Sequence, residues 1–309
     1  MKSKFPAFIE KIHPVLWQGI CFSLSILVFS LILVNRNPNI LRPLSMSLRT
    51  GFGLVIPSTA LALFFLLRIP GRVGELIAIT GVLSLFALPL AGVWASGKSQ
   101  SVLFNGLIPL ADAANYYIDS LRILVGWKIS HFSAMRPIFP GFLSLLQAIT
   151  GRNFMASLGI LTAIAGYSAY FTSREVQRTH GAAAGTSLMI LLFLFFRHHA
   201  GTSMSEILGM SVGVLGTGVI WHGLDRRSLP LSVFGLFALS LALNIRPGTM
   251  FVLPLVLLWI ARIFRRPRGW VSLKAILWGM GVILISFFTN SLFVKMLADS
   301  SGTAFSNFS

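Results

Sequence analysis

Long apolar runs without a single charge restrict what this chain can fold into. A helix needs roughly 20 predominantly apolar residues to cross the hydrocarbon core of a bilayer. Runs close to that length recur along the sequence, and the shorter ones would borrow residues from their flanks. They are Val15–Val34, Gly51–Leu67, Leu76–Gly97, Phe154–Ser173, Gly181–Phe196, Ile207–Leu224, Ser228–Ile245, Pro247–Ala261 and Ala275–Val294. We therefore expect an all-α polytopic transmembrane bundle with about nine spans.

The composition supports the same class. Apolar residues make up 55% of the chain and charged residues 11%, whereas soluble domains carry about 25% charged residues. The formal net charge is +17. This charge does not indicate nucleic-acid binding, because the basic residues stand singly or in short clusters and not on one face of a soluble domain. We expect a lipid bilayer around the chain and no nucleic-acid partner.

The N-terminal region has the pattern of a retained membrane anchor. Residues 1–14 are basic, and the uncharged run that follows is too long for a signal peptide and lacks a small-residue cleavage site. We divide the chain into two N-terminal transmembrane helices within residues 1–75 and a membrane module at residues 76–309. That module contains a polar loop at residues 98–136.

The distribution of Lys and Arg orients the spans. The connections Arg174–Arg178, Asp225–Arg227 and Arg262–Lys274 are basic and lie two spans apart from one another. All three are therefore predicted to be cytoplasmic, because cytoplasmic loops carry an excess of Lys and Arg.

The side of the membrane on which the polar loop lies depends on residues 137–150. This run contains two prolines and is short for a crossing, which favours a re-entrant or interfacial helix. The 98–136 loop is then extracytoplasmic and the N-terminus cytoplasmic, although Arg36, Arg42 and Arg49 lie outside against the positive-inside rule. If the run does cross, the loop is inside and the N-terminus outside.

The predicted outer face gathers most of the polar side chains that could do chemistry. They are Asp112, Asp119, Arg122, Lys128, His131, Arg136, Arg197, His198, His199, Glu206 and Arg246, with Tyr116 and Tyr117 between the two acids. Asp112 and Asp119 are two helical turns apart, so they could share a helix face but not one proton. Simpler explanations are solvated acids on an interfacial helix, or a Glu206 that the helix dipole favours.

Two arginines that precede prolines are candidates for binding an anion. Arg136 and Arg246 would each offer a planar, permanently charged donor fork to a phosphate, although an interfacial arginine can also simply extend its head group to water. His198 and His199 would point in different directions on a helix, which disfavours binding of one metal by both. A single metal ligand, a phosphate contact and plain solvation all stay open for this pair.

The remaining motifs indicate structure and not chemistry. The sequence contains no P-loop, no dinucleotide-binding fingerprint, no nucleophile elbow and no H-E-x-x-H zinc motif. Cys21 is the only cysteine, so there is no disulfide framework and no thiolate metal site. Gly209, Gly213 and Gly216 form a stripe of small residues that is typical of helix packing in lipid.

Three parts of the chain carry a family resemblance. They are DAANYY at residues 112–117, RPIFPGFLSLLQAITG at residues 136–151, and the later pair SEILGM at 205–210 and LALNIRPGTMFVLPLVLLW at 241–259. In this order they resemble the polytopic, lipid-sugar-dependent glycosyltransferases of the GT-C type, which include protein mannosyltransferases. The resemblance covers roughly Leu76 to the end. Many members have a second acid where this chain has Ala113, and the large soluble domain or distal helices that complete many members are absent, so we expect a truncated or split protein.

The resemblance implies transfer of a sugar from a polyprenyl-phosphate donor to an acceptor hydroxyl at the extracytoplasmic face of the cell envelope, by an inverting hexosyltransferase similar to mannosyltransferases. In such an enzyme Asp112 would be the general base, and Arg136 and Arg246 would bind the donor phosphate. Tyr116, Asp119, His198, His199 and Glu206 would be secondary site residues. Of these, His198, His199 and Glu206 would contact the acceptor or the donor, or ligate a divalent cation such as Mg²⁺ or Mn²⁺ if one is used. Acceptor recognition could come from a partner subunit.

Two other functions fit the same residues. A transporter or flippase of a lipid-linked anion would use the outer Arg and His residues as a binding vestibule, but it predicts charged residues deep within spans. A non-catalytic membrane subunit would need none of these roles.

Overall fold

The computed structural model describes residues 13–298 except Arg36 and Arg268, and in this part of the chain it is all-α apart from one short hairpin. The basic segment of residues 1–12 and the polar tail after Ala298 lie outside the described residues. The helices are α1 Pro14–Val34, α2 Pro38–Thr50, α3 Val55–Arg68, α4 Gly71–Ser96, α5 Ala111–Leu124, α6 His131–Ala134, α7 Ile138–Ile149, α8 Phe154–His199, α9 Ser205–Asp225, α10 Leu229–Ile245, α11 Val252–Ile263 and α12 Leu273–Leu297. Strands β1 Leu103–Phe104 and β2 Ile108–Pro109 pair antiparallel.

The chain is a helical, multi-pass membrane protein. Five of the described helices (α1, α4, α8, α9 and α12) are long and apolar enough to cross a membrane, or six spans if the bent pair α2–α3 counts as one. This number is lower than the nine spans expected, although each of the nine apolar runs does form helix. Helix α8 contains two of the runs, and two others form only the 17-residue α10 and the 12-residue α11.

Helix α8 is kinked at Gly181, and its two limbs fold back on each other. Gly181 has φ +86° and ψ 171°, which is a backbone conformation open almost only to glycine. Phe86 of α4 contacts both limbs: its side chain lies against Gly166, and its ring centre is 5.7 Å from that of Phe193. Because residues from the two limbs meet one side chain, both limbs pack on the same helix at the centre of the core.

The helices divide the molecule into two ends. At the basic end (residues 174–181, 225–228 and 262–267), Arg178 pairs with Asp225 at 2.9 Å and Arg227 donates to the carbonyl of Ile263 at 3.1 Å. These contacts bring together the connections that the charge pattern assigns to the cytoplasm. The opposite end, called the loop end (residues 97–136, 197–205 and 246), contains the polar loop.

The first helix begins at the basic end. Leu33, near the end of α1, lies against Gly159 close to the start of α8, whereas Phe22 lies further along α8 with its ring centre 5.7 Å from that of Tyr167. Helix α1 therefore runs antiparallel to the first limb of α8, which ends at the basic end.

Helix α7 stays beside α5 at the loop end along its whole length. At its start, Arg136 Nη1 donates to the hydroxyl of Tyr116 at 2.9 Å. Beyond its end, the ring centre of Phe154 is 4.4 Å from that of Tyr117. The residue before α7 and the segment after it thus both lie next to α5. Residues 137–150 therefore do not carry the chain to the basic end.

The glycine stripe of α9 packs against α10. A Cβ added to Gly216 would be 2.8 Å from the backbone nitrogen of Leu239 and 2.9 Å from the carbonyl oxygen of Gly235. Gly209 and Gly213, which lie nearer the start of α9, face the last turns of α10 in the same way. The prediction that this stripe serves helix packing is confirmed, and the close approach fixes the position of Glu206 relative to the end of α10.

Candidate functional site

The start of α5 presents Asp112 to solvent. Leu110 is extended and Ala111 has φ +49°, so the chain turns sharply out of the β1–β2 hairpin into the helix. Asp112 lies exposed in the first helical turn, where the helix dipole favours a carboxylate. The next residue, Ala113, is fully buried, and its carbonyl accepts a hydrogen bond from Ser203 Oγ at 2.8 Å. Asp112 is therefore an exposed acid on an anchored backbone.

Tyr116 holds Arg136 in place. The side chain of Tyr116 is fully buried, with its ring packed edge-on against Phe139 at 5.1 Å between centres. Its hydroxyl accepts the hydrogen bond from the guanidinium of Arg136, which is only partly buried. A buried ring with fixed neighbours gives the bonded guanidinium a defined position, so the sequence-predicted residues Tyr116 and Arg136 do lie together.

Asp119 differs from Asp112 although both lie on α5. Asp119 is buried, and its carboxylate accepts hydrogen bonds from the backbone nitrogen of Ser130 at 3.1 Å, from the Ser130 hydroxyl and from Arg122 at 3.0 Å. These bonds hold the 125–130 connection against the helix. In this arrangement Asp119 has a structural task, and its oxygens already have donors.

Glu206 and Arg246 form an ion pair. Arg246 Nη2 lies 3.0 Å from Glu206 Oε1, and the side chains are 38% and 13% exposed respectively. The pair depends on Gly209, because a Cβ there would lie 2.7 Å from the Cβ of Arg246. The structure thus joins two residues that the sequence analysis treated separately, and part of the Arg246 guanidinium remains open to solvent.

The histidines at the end of α8 lie at the same end of the molecule but do not form a metal centre. His199 is partly buried with its ring 4.8 Å from that of Phe195, and His198 is exposed. No group of three or more His, Cys, Asp or Glu side chains that could hold a metal ion occurs within residues 13–298 as described.

The sequence did not identify the residues whose hydrogen bonds join the segments of the loop end. Ser203 and Ser130 are short side chains in connections, and no pattern sets them apart from other serines. Arg49 was assigned to an outer connection, but it lies within α2 and is 1% exposed. Its neighbours in the last turn of α2 are Ser47, Leu48 and Thr50, so no local pattern marked this arginine as buried.

A separate cavity of about 1570 Å³ lies between α1, α4 and the first limb of α8. Apolar side chains such as Phe22, Ile26 and Ile160 line most of it. Polar residues meet at its basic end, where Glu75 and Arg174 both line the wall. The cavity is distinct from the Asp112 region at the loop end.

No protein-family model matches the chain, and neither a curated protein nor a solved structure matches it. Its function is therefore argued from the geometry of its own residues.

Proposed function

We propose that this protein is an integral membrane glycosyltransferase that moves a sugar from a polyprenyl-phosphate donor to an acceptor hydroxyl outside the cytoplasm. Asp112 is the general base, and Arg136 and Arg246 stabilise the donor phosphate. The protein resides in the cell membrane with its N-terminus in the cytoplasm. Its GT-C-like architecture is part of the same proposal.

The observation that carries the proposal is an exposed carboxylate at the end of the molecule where two partly accessible guanidinium groups also lie. Asp112 is next to Ala113, which Ser203 ties to the segment leading into α9 and Glu206. Arg246 pairs with Glu206. Arg136 donates a hydrogen bond to Tyr116. Tyr116 lies on α5, about one helical turn beyond Asp112.

The chemistry requires these charges in complementary roles. As the acceptor oxygen attacks the sugar carbon, Asp112 takes the hydroxyl proton. The bond between that carbon and the phosphate oxygen breaks on the opposite side, which inverts the configuration. Negative charge grows on the departing lipid phosphate, and fixed guanidinium groups stabilise that charge without rearranging.

Arg246 has to divide its donors between Glu206 and the phosphate. Because the arginine side chain is 38% exposed, part of its donor fork can reach a ligand while the ion pair persists. Glu206 then orients Arg246 before the donor binds.

The test is a transfer assay on membranes that contain the full chain. Polyprenyl-phosphate-linked mannose and glucose are supplied as donors, and the release of polyprenyl phosphate is measured. We expect Asp112→Asn to lower turnover by about 10²–10⁴-fold, the contribution typical of a general base. Asp225→Asn, which removes an exposed acid at the basic end, should keep normal turnover. Near-normal turnover in Asp112→Asn would remove Asp112 from this role.

The cavity favours a second candidate function, transport of a lipid-linked anion across the membrane. It is lined along α8 from Asn153 to Arg178, a rise of about 38 Å, which exceeds the hydrocarbon thickness of about 30 Å. Transport would move labelled lipid between the leaflets of reconstituted vesicles without any acceptor, and Asp112→Asn would leave its rate unchanged. The glycosyltransferase predicts neither result.

A further inference from the structure

Four charged side chains line the cavity at its basic end. Glu175 and Arg178 pair with each other, whereas Glu75 and Arg174 have no charged partner in the part of the chain that the structure describes. Glu75 projects from α4 and has no hydrogen bond or ion pair with any described residue. Arg174 projects from α8 and donates to the carbonyl of Leu67 at 3.2 Å and to the side chain of Gln177 at 2.8 Å, both uncharged acceptors. A carboxylate and a guanidinium without charged partners are expensive in a membrane protein, which marks this place as a candidate binding site.

The two charges line one cavity from different helices. Glu75 lies on α4, whereas Arg174 lies on α8, one helical turn beyond Tyr170, which also lines the cavity. No ion pair joins Glu75 to Arg174, and the ion pairs described at this end join Arg178, Glu175, His222 and Asp225. A ligand that satisfies both charges must therefore carry a cation and an anion.

The cavity walls between these charges and the loop end are apolar, so they favour an apolar part in the ligand. Phe22, Ile26, Ile160 and Ala163 line the cavity between the basic end and the loop end. Burying apolar chains against such a surface is favourable, at about 25 cal/mol for each Å² removed from water. The ligand is therefore an amphiphile with a zwitterionic head and apolar chains.

We propose that this cavity binds a zwitterionic phospholipid whose head group ends in a primary ammonium, such as phosphatidylethanolamine. The ammonium donates to the Glu75 carboxylate, and the phosphate accepts from Arg174. The acyl chains run along α1 and the first limb of α8 towards the loop end. This binding does not depend on the glycosyltransferase activity, whose residues lie at the other end of the molecule.

Binding of defined phospholipids to the full, unmodified chain tests the proposal directly. The chain is placed in detergent micelles with dioleoyl phosphatidylethanolamine, phosphatidylcholine or phosphatidylglycerol, and the fraction of protein that carries bound lipid is measured by native mass spectrometry. We expect phosphatidylethanolamine to bind about fivefold more tightly than phosphatidylglycerol, as one partly exposed charge pair allows, and more tightly than phosphatidylcholine, whose quaternary ammonium has no N–H to donate. Equal binding of phosphatidylglycerol or phosphatidylcholine would overturn the proposal.

Variants assign the head-group contacts. Glu75→Gln should abolish the preference for phosphatidylethanolamine over phosphatidylglycerol, and Arg174→Gln should reduce the binding of every phospholipid. Arg152→Gln, at an exposed position beside the start of α8, is the matched control and should behave as wild type. If Glu75→Gln keeps the preference, the carboxylate does not bind the ammonium and the proposal fails.

A cavity-filling variant separates binding from general effects of lipid on the detergent micelle. Ala163→Phe places a ring into the apolar part of the cavity and should remove the bound phosphatidylethanolamine. Binding that persists in Ala163→Phe would place the lipid elsewhere and contradict the proposal. If a variant fails to fold, the comparison of phosphatidylethanolamine with phosphatidylglycerol on the unmodified chain still tests the proposal.

Discussion

Arg49 and Arg197 cap each other's helices. Arg49, in the last turn of α2, donates to the carbonyls of His198 and Ala200 at the end of α8, at 3.0 and 2.6 Å. Arg197, in the last turn of α8, donates to the carbonyls of Leu48 and Gly51 at the end of α2, at 3.0 and 2.7 Å. Both arginine residues are 1% exposed. Each arginine thus satisfies the free carbonyls at the negative end of the other's helix.

Removing either arginine should destabilise the loop end. We expect Arg49→Met and Arg197→Met each to lower the free energy of unfolding by about 1–3 kcal/mol, because buried carbonyls lose their donors. The double variant should lose less than the sum of the two, since either single change already releases the contact between the helix ends. Thermal unfolding in detergent measures these differences.

Arg42 supplies the control for that experiment. It is an exposed arginine on the same helix α2, and Arg42→Met should leave the unfolding temperature within the range of an ordinary surface change. Strictly additive losses in the double variant would mean that the two guanidinium groups act independently.

The hydroxyl of Tyr116 should affect donor binding through Arg136. Tyr116→Phe keeps the buried ring but removes the hydrogen bond to Arg136. A guanidinium that loses this support should lower kcat/KM for the polyprenyl-phosphate donor about fivefold, because Arg136 stabilises charge that grows on the departing phosphate. Tyr117→Phe is the control, because the Tyr117 hydroxyl has no hydrogen-bond partner among the described residues. An unchanged kcat/KM in Tyr116→Phe would argue against Arg136 as a donor ligand.

Charge removal at Glu206 distinguishes two roles for that residue. If Glu206 only orients Arg246, Glu206→Gln should leave the guanidinium less ordered and raise the donor KM about two- to fivefold, since a partly exposed pair is worth about 1 kcal/mol or less. If Glu206 contacts the acceptor instead, kcat should fall while the donor KM stays constant. Steady-state kinetics with varied donor separates the two results.

The approach of α9 to α10 should not tolerate an extra methyl group at Gly216. Gly216→Ala would force the helices apart, and overpacking of this kind lowers stability by about 1–3 kcal/mol. Gly281→Ala is the comparison, because a Cβ at Gly281 meets nothing within 4 Å. Unfolding in detergent should separate the two variants, and equal stability would contradict the tight packing of these helices.

The two-ended arrangement predicts a labelling pattern in cells. In a Cys21→Ser background, Lys98→Cys and Asp112→Cys should react with a membrane-impermeant maleimide in intact cells, because both positions are exposed at the loop end. Arg226→Cys, exposed at the basic end, should react only after permeabilisation. The reversed pattern would put Asp112 in the cytoplasm and end the transferase proposal.

The sequence predicted the helical membrane class, because nearly every local signal agrees with it. The nine apolar runs all become helix, and the glycine stripe packs as expected. The number of spans was harder to predict. Whether a run continues into its neighbour depends on one residue, as at Gly181, and hydropathy does not register a kink.

The candidate site was predictable only in outline. The sequence brought Asp112, Arg136 and Arg246 to one face but gave no reason to pair Arg246 with Glu206, whose contact depends on how closely α9 approaches α10. It also gave no reason to expect that Asp119 is buried while Asp112 is exposed. Their difference comes from the 125–130 connection, which covers Asp119 alone and is held there by the bonds from Ser130. Such contacts between distant segments have no local signature.

The glycine at position 181 also limits how α8 can enter a bilayer. A straight helix of 46 residues would be about 69 Å long, more than twice the hydrocarbon thickness of about 30 Å. A side chain at this position would disfavour the reversal and push the segment towards that single rod, which no ordinary bilayer accommodates. The ability of residues 154–199 to insert as a paired unit during biosynthesis therefore depends on a residue that has no side chain.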